Sequence, residues 1–127
     1  MIDSKPKGLR KRSVIKSDIV KDIDEYVSEH ICEKIVVIEI AEHLQKNPSY
    51  LNYKFKLRTG LCITEYIQRK KIGEAKKRLI QTDNTITEIC TELSYYDQSH
   101  FIRCFKKETG LTPLRYRELN LANSELS

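Results

Sequence analysis

Seven side chains in this 127-residue chain have the chemistry to bind a transition metal or to serve as a nucleophile and its base: Cys32, Cys62, Cys90, Cys104, His30, His43 and His100. Their spacing argues against both uses. The cysteines lie 30, 28 and 14 residues apart, with no CxxC pair, and the histidines are scattered among them. Zinc sites need closer and more regular spacing. Cysteines without such partners behave as small buried hydrophobes, and reduced thiols fit a cytoplasmic protein. GxGxxG, GxxxxGK and HExxH are all missing from the sequence, so no phosphate-cradling loop or helix-borne zinc pair is encoded. The expectation is a chain with no metal, no cofactor and no enzymatic activity.

The remaining chemistry is electrostatic. The net charge of +5 is distributed in blocks. Residues 1–16 hold six bases and one acid, and residues 17–45 hold eight acids and two bases. Residues 46–78 then hold ten bases against Glu65 and Glu74. From 79 to the end the balance is seven acids to five bases. An acidic block followed by a strongly basic one polarises the surface, and a polyanion is the natural partner of the basic part. A solvated helix face is the plainer reading of the same runs.

These charges must be positioned by helices. Four glycines and three prolines leave little material for the tight turns of a β-sandwich or barrel,. The longest apolar run, Ile35–Ile38, is far too short to cross a bilayer,. No apolar stretch follows the basic N-terminus, so a secretory signal is not expected. Ile19, Val20, Ile23, Val27 and Ile31 form one helical stripe over about 18–31, with Ser17 as its expected N-cap,. A second helix carries Val37, Ile40, Ala41 and Leu44. Asn47-Pro48 reads as an N-cap followed by proline at the first helical position, and Gly60 as the stop,. A long helix over about 63–81 follows. Thr85-Ile86-Thr87-Glu88 is a capping box, Asp97 caps a sixth helix ending at Gly110, and Thr112-Pro113 opens a seventh,.

The strongest signal is an internal repeat. Phe55-Lys56-Leu57-Arg58-Thr59-Gly60-Leu61 recurs 50 residues later as Phe105-Lys106-Lys107-Glu108-Thr109-Gly110-Leu111. Ser49, Leu51 and Tyr66 match Ser99, Phe101 and Tyr116 at the same offset. Ile40-Ala41-Glu42-His43-Leu44 matches Ile89-Cys90-Thr91-Glu92-Leu93 at an offset of 49, so the second copy has gained one residue in its turn. Each copy reads as short helix, tight turn, second helix. The small Ala41 or Cys90 allows close crossing, and Leu44/Leu93 and Leu51/Phe101 pack it. That is a helix-turn-helix, present twice, and it points to DNA.

The stretch from Ile89 to Arg117, through Asp97-Gln98-Ser99-His100-Phe101, Phe105-Lys106-Lys107 and Thr109-Gly110-Leu111-Thr112-Pro113, resembles the signature of the AraC/XylS transcription regulators. Asn47 to Phe55 and Glu65-Tyr66-Ile67 fit the same family, and the resemblance covers roughly residues 17–119. It implies an all-α fold of seven helices, in two homeodomain-like helix-turn-helix lobes joined by a linker helix. It also implies a transcription regulator, most members being activators. The expected organisation is a basic arm (1–16), a first lobe (17–62), a linker helix (63–82), a second lobe (83–121) and a tail (122–127). Gln45 and Ser94 depart from the family by standing where glycine is common in the two turns, which strains a residue of positive φ. Cys90 replaces the usual alanine. Gly73 sits inside the linker helix, as a bend point or as a tolerated surface glycine.

A linker of nearly 20 residues spans roughly 30 Å, close to the ~34 Å between successive major grooves on one face of B-DNA. One chain can then read an asymmetric site without dimerising. With Leu51 and Phe55 inward, Ser49, Asn52, Tyr53 and Lys56 face out. Asn52 suits adenine, and Tyr53 suits a thymine methyl or a phosphate. With Phe101 and Phe105 inward, Gln98, Ser99, Ile102, Arg103 and Lys106 face out, Arg103 suiting guanine and Gln98 adenine. The resemblance adds His100 to the DNA-facing set. Phosphate positioning falls to Lys56, Arg69, Lys106 and the helix ends at Asn47 and Thr112, whereas Lys76, Lys77 and Arg78 are expected on a solvated face. Each reading residue has phosphate contact or plain solvation as its alternative. Double-stranded DNA is the expected partner and RNA polymerase a second one, for the acidic face. A helical protein-interaction module is the alternative function. The basic arm reads as a DNA-contacting arm, a disordered leader or a linker to a sensor domain. Nothing in the sequence resembles a β-barrel sugar-binding domain, so the expectation is a ligand-free regulator controlled by its abundance, or an isolated DNA-binding domain.

Overall fold

The computed structural model describes residues 18–126. The basic arm 1–16 and Ser17 lie outside the described residues. Seven α-helices and no strand are found among those described: α1 (Ile19–Glu29), α2 (Val37–Leu44), α3 (Pro48–Thr59), α4 (Ile63–Gln81), α5 (Ile86–Glu92), α6 (Gln98–Thr109) and α7 (Pro113–Leu126). The expected all-α architecture is present.

Most boundaries follow from one side chain each. The first differs from expectation: Asp18, not Ser17, caps α1, accepting from the Lys21 N–H at 3.2 Å. The helix ends at Glu29, two residues before Ile31. Asn47 caps α3, accepting from the N–H groups of Ser49 (2.8 Å) and Tyr50 (3.2 Å), with Pro48 at the first helical position. Thr85 and Glu88 close the reciprocal capping box of α5, at 3.0 and 2.7 Å. Gly60 and Gly110 stop α3 and α6 with φ of +81° and +82°, in the left-handed region where a side chain would be strained. Helix α7 continues to Leu126, past the boundary at 121 expected for the second lobe.

Both helix-turn-helix turns are built alike. Gln45 and Ser94 adopt φ of +57° and +59°, the left-handed values that the glycine-rich family pattern implies. A six-to-one bond closes each turn, from Lys46 N–H to the Ala41 carbonyl (2.9 Å) and from Tyr95 N–H to the Cys90 carbonyl (3.1 Å),. Three residues separate Leu44 from Pro48 and four separate Leu93 from Gln98, which is the extra residue of the second copy.

Apolar side chains collect in two cores. One is formed by Ile23, Val27, Ile40, Ala41, Leu51, Phe55, Ile63 and Ile67. The other comprises Ile72, Ala75, Leu79, Ile89, Cys90, Leu93, Phe101 and Phe105. Burial of each large side chain contributes about 1.5–3 kcal/mol. Ile63 and Ile67 belong to the first core, and Ile72, Ala75 and Leu79 to the second, yet all lie on α4. The helix read as a connecting rod is therefore a structural member of both lobes. The repeat has the same logic. Tyr66 of α4 packs edge-on against Phe55 at 5.1 Å, and Tyr116 of α7 packs edge-on against Phe105 at 5.4 Å.

Candidate nucleic-acid interface

Helix α3 turns Leu51 and Phe55 fully inward. Ser49, Tyr53 and Lys56 are consequently exposed and Asn52 is half-buried. Tyr53 is 64 % exposed, a large aromatic surface with no core to cover it. Asn52, Tyr53, Lys56 and Leu57 line a shallow depression together with Cys62. Three of the four outward residues expected on α3 line it; Ser49 is exposed in the first turn of the helix and does not. Asn47 is occupied locally: its Oδ1 satisfies the two amides that open the helix.

Helix α6 repeats the arrangement, with Phe101 and Phe105 fully buried. Gln98, Ser99, Arg103 and Lys106 are exposed and Ile102 is half-buried. Gln98 is pre-oriented, because its Oε1 accepts from the Thr87 hydroxyl on α5 at 2.6 Å. Asp97 caps the helix through the His100 N–H at 2.7 Å.

His100 sits apart from these residues. It is half-buried on the flank of α6, its ring 5.7 Å from that of Tyr95 and its Nε2 3.8 Å from the Cys104 Sγ. It lines a cleft between the lobes with Gln68, Lys71, Tyr95 and Tyr96. Arg69 is 58 % exposed, and its Nε lies 3.4 Å from a Glu108 carboxylate oxygen on α6. Thr112 accepts from the Arg115 N–H at 3.2 Å in the first turn of α7.

Two sequence expectations need correction. Arg78 is not on a solvated face: its side chain is only 23 % exposed and is bonded to Glu74 at 3.0 Å and to Glu92 at 2.8 Å. Of the four free cysteines only Cys90 is buried; Cys62 and Cys104 are half-buried and Cys32 is exposed. The Cys32 Sγ accepts from Arg78 at 3.2 Å.

A further residue escaped the sequence reading altogether. Lys71 is 6 % exposed and donates to the carbonyls of Ile31, Glu33 and Leu93. Burial pushes its ammonium below the ordinary lysine range. In the sequence it is the third member of the run Arg69-Lys70-Lys71, and nothing in its type sets it apart. Its place in the apolar period of α4, beside Ile67 and Ile72, was the available signal.

Among the described residues no group of three metal-ligating side chains converges, and no helix is long and apolar enough to cross a membrane.

The fold agrees with comparisons to known proteins. A family model described as a helix-turn-helix domain matches residues 40–119. The bifunctional transcriptional activator/DNA repair enzyme AdaA of Bacillus subtilis is 35 % identical over 104 residues, covering 82 % of this chain and 49 % of AdaA. The chain spans about half or less of the length of the curated relatives it matches. The C-terminal domain of AraT, a response regulator from Geobacillus stearothermophilus, superposes with a TM-score of 0.77 at 28 % identity, covering 81 % of this chain and 86 % of that domain. The DNA-binding domain of AdpA, a global transcriptional factor solved with a target DNA, shares the fold. Its TM-score is 0.80 at 18 % identity, over 87 % of this chain and all of that domain. With two helix-turn-helix lobes built on one shared helix and a family model spanning both, the chain belongs to the AraC-type helix-turn-helix family of transcriptional regulators.

Proposed function

We propose that this chain reads duplex DNA with both lobes at once, placing α3 and α6 in successive major grooves as a monomer, and that it activates transcription in the cytoplasm. The observation carrying this reading is the duplicated reading face: Ser49, Asn52, Tyr53 and Lys56 on α3 and Gln98, Ser99, Arg103 and Lys106 on α6, each backed by a pair of fully buried core residues. The 19 residues of α4 rise ~28 Å at ~1.5 Å each, commensurate with one turn of B-DNA.

Arg103 has the donors for a bidentate guanine contact, and Asn52 and Gln98 have the paired donor and acceptor that adenine presents in the major groove. Ile102 offers apolar contact to a thymine methyl. Lys56, Lys106 and the first turn of α7 at Thr112 suit phosphates. Arg69 must exchange Glu108 for a phosphate to join them, and the amides beside Asn47 are already satisfied. His100, at the edge of the cleft, has the weakest geometric support of the set.

The acidic side chains of α1 and α2 favour a further contact with the transcription machinery, a surface on which RNA polymerase is the proposed partner. If that contact were the whole function, DNA affinity would be weak, indifferent to sequence and lost uniformly on mutation. The deciding experiment is selection of bound sites from a random duplex pool, followed by titration of salt. Specific binding should emerge from the pool and weaken linearly in log–log form as salt rises. Arg103→Ala should then lose ~1–3 kcal/mol on the selected site and relax one base position. Asn52→Ala should relax a different position about one helical turn away. Equal losses on every sequence would make Arg103 a phosphate contact, and protection of a single groove would remove the two-lobe reading.

A further inference from the structure

We propose that Lys71 is a positioning residue that locks the two lobes at one separation and one rotation, so that the chain accepts bipartite DNA sites of a single half-site spacing. The spacing part rests on the DNA-binding reading above; the lock itself does not.

Lys71 lies near the middle of α4, between Ile67 of the first core and Ile72 of the second. An ammonium has three N–H donors. One goes to the Ile31 carbonyl at 2.9 Å and another to the Glu33 carbonyl at 2.7 Å, both in the loop that follows α1. The third goes to the Leu93 carbonyl at 2.6 Å, at the end of α5. Neither lobe alone satisfies this buried cation. Rotating one lobe against the other would strip an acceptor from it, and an unpaired buried charge is strongly disfavoured.

Ser94 supplies an independent observation. Its hydroxyl donates to the Cys32 carbonyl at 2.7 Å, joining the turn of the second lobe directly to the α1–α2 loop of the first. The residue does this from φ +59°, where glycine would be relaxed but would have no hydroxyl. Arg78 adds a third tie, reaching Glu92 of α5 and the Cys32 Sγ from the second half of α4. The bonded segment around Leu93 and Ser94 runs directly into α6. Whatever fixes that turn therefore fixes where the second reading helix points.

Inserting one base pair between half-sites displaces one of them by about 3.4 Å and about 34°. A locked protein cannot follow that displacement; two lobes joined only by a helix, with Gly73 inside it, could follow part of it.

The test uses the full chain, its Lys71→Met variant and a Ser94→Ala variant. Ser94 is exposed, so its variant keeps the test alive if Lys71→Met does not fold. The first measurement needs no DNA: residual dipolar couplings of backbone amides in both lobes. One alignment tensor should fit the parent, and separate tensors should be needed for the variants. The second is affinity for a set of duplexes carrying the selected half-sites at spacings altered by one base pair in either direction. The parent should lose about tenfold or more per step. The variants should show a flattened profile, with affinity for each isolated half-site unchanged. The lock is overturned if the parent already needs two tensors or if every variant that folds still needs one. Positioning is overturned if the variants weaken every spacing equally and keep the parent's profile. A parent that selects no bipartite site would instead remove the DNA-binding reading, leaving the dipolar couplings to judge the lock.

Discussion

Asp24 shows how one ionisable side chain on α1 can report on the packing of α4. It accepts a hydrogen bond from the Tyr66 hydroxyl and an ion pair from Lys70 at 3.1 Å. The Tyr66 bond is the main reason its carboxyl titrates below the ordinary aspartate range; burial opposes the shift and Lys70 assists it. A carboxyl whose folded pKa is depressed contributes stability above its unfolded pKa, about 3.9, and loses it as pH falls through the folded value. Asp24→Asn should therefore be destabilised at pH 7 and approach the parent near pH 3, as read by urea titration at the two values. A gap equal at both would show that the carboxylate charge contributes nothing. Tyr66→Phe should cost about 0.5–1.5 kcal/mol at pH 7. Residue-level legibility followed residue type. Leu51, Phe55, Phe101 and Phe105 were readable as inward because they are apolar at helical spacing. Arg69, Lys70 and Lys71 were not separable, because successive helical residues turn through about 100° and three similar side chains enter three environments. The first is exposed, the second half-exposed and the third buried.

At the scale of elements, the two helix-turn-helix turns offer a matched pair of substitutions. Gln45 and Ser94 both hold positive φ without being glycine, at a cost of about 1 kcal/mol or more. Gln45 is exposed and makes no side-chain hydrogen bond among the described residues, whereas Ser94 bonds to the Cys32 carbonyl. Gln45→Gly should accordingly raise stability by ~0.5–1 kcal/mol, with a rise of a few degrees in Tm. Ser94→Gly relieves the same strain but deletes a bond, so its gain should be smaller or reversed. Thermal melts of the two variants side by side decide the matter; an equal gain from both would mean that the Ser94 hydroxyl adds nothing. Helix caps were the most legible feature of the chain, since Asn47-Pro48, Gly60, the Thr85–Glu88 box, Asp97 and Gly110 each act within one turn of backbone. The start of α1 was misplaced by one residue because Ser17 and Asp18 are adjacent and both are competent caps. Contacts between distant segments, such as Arg78 with Cys32 and Glu92, carry no local signature and were missed for that reason.

For the molecule as a whole, the decisive fact is that the buried side chains of α4 are divided between the two cores. Ile63, Tyr66 and Ile67 complete the first core, while Ile72, Ala75 and Leu79 complete the second. The repeat revealed two lobes, and their division at 62/63 follows naturally from the sequence. As a place to cut the chain, however, that division should fail. A fragment of residues 18–62 would leave Phe55 without its aromatic neighbour and the first core without two isoleucines. It should be unfolded by circular dichroism. A helical, cooperatively melting 18–62 fragment would show that α4 is dispensable to the first lobe. Sharing a helix also removes the option of melting by halves. Loss of either core strips one side of α4 and with it the support of the other. Heating should give one calorimetric transition whose enthalpy matches its van't Hoff value. In a cell, such a protein would present proteases with either the intact fold or a fully open chain, so a destabilising change anywhere in it would act on abundance as a single switch.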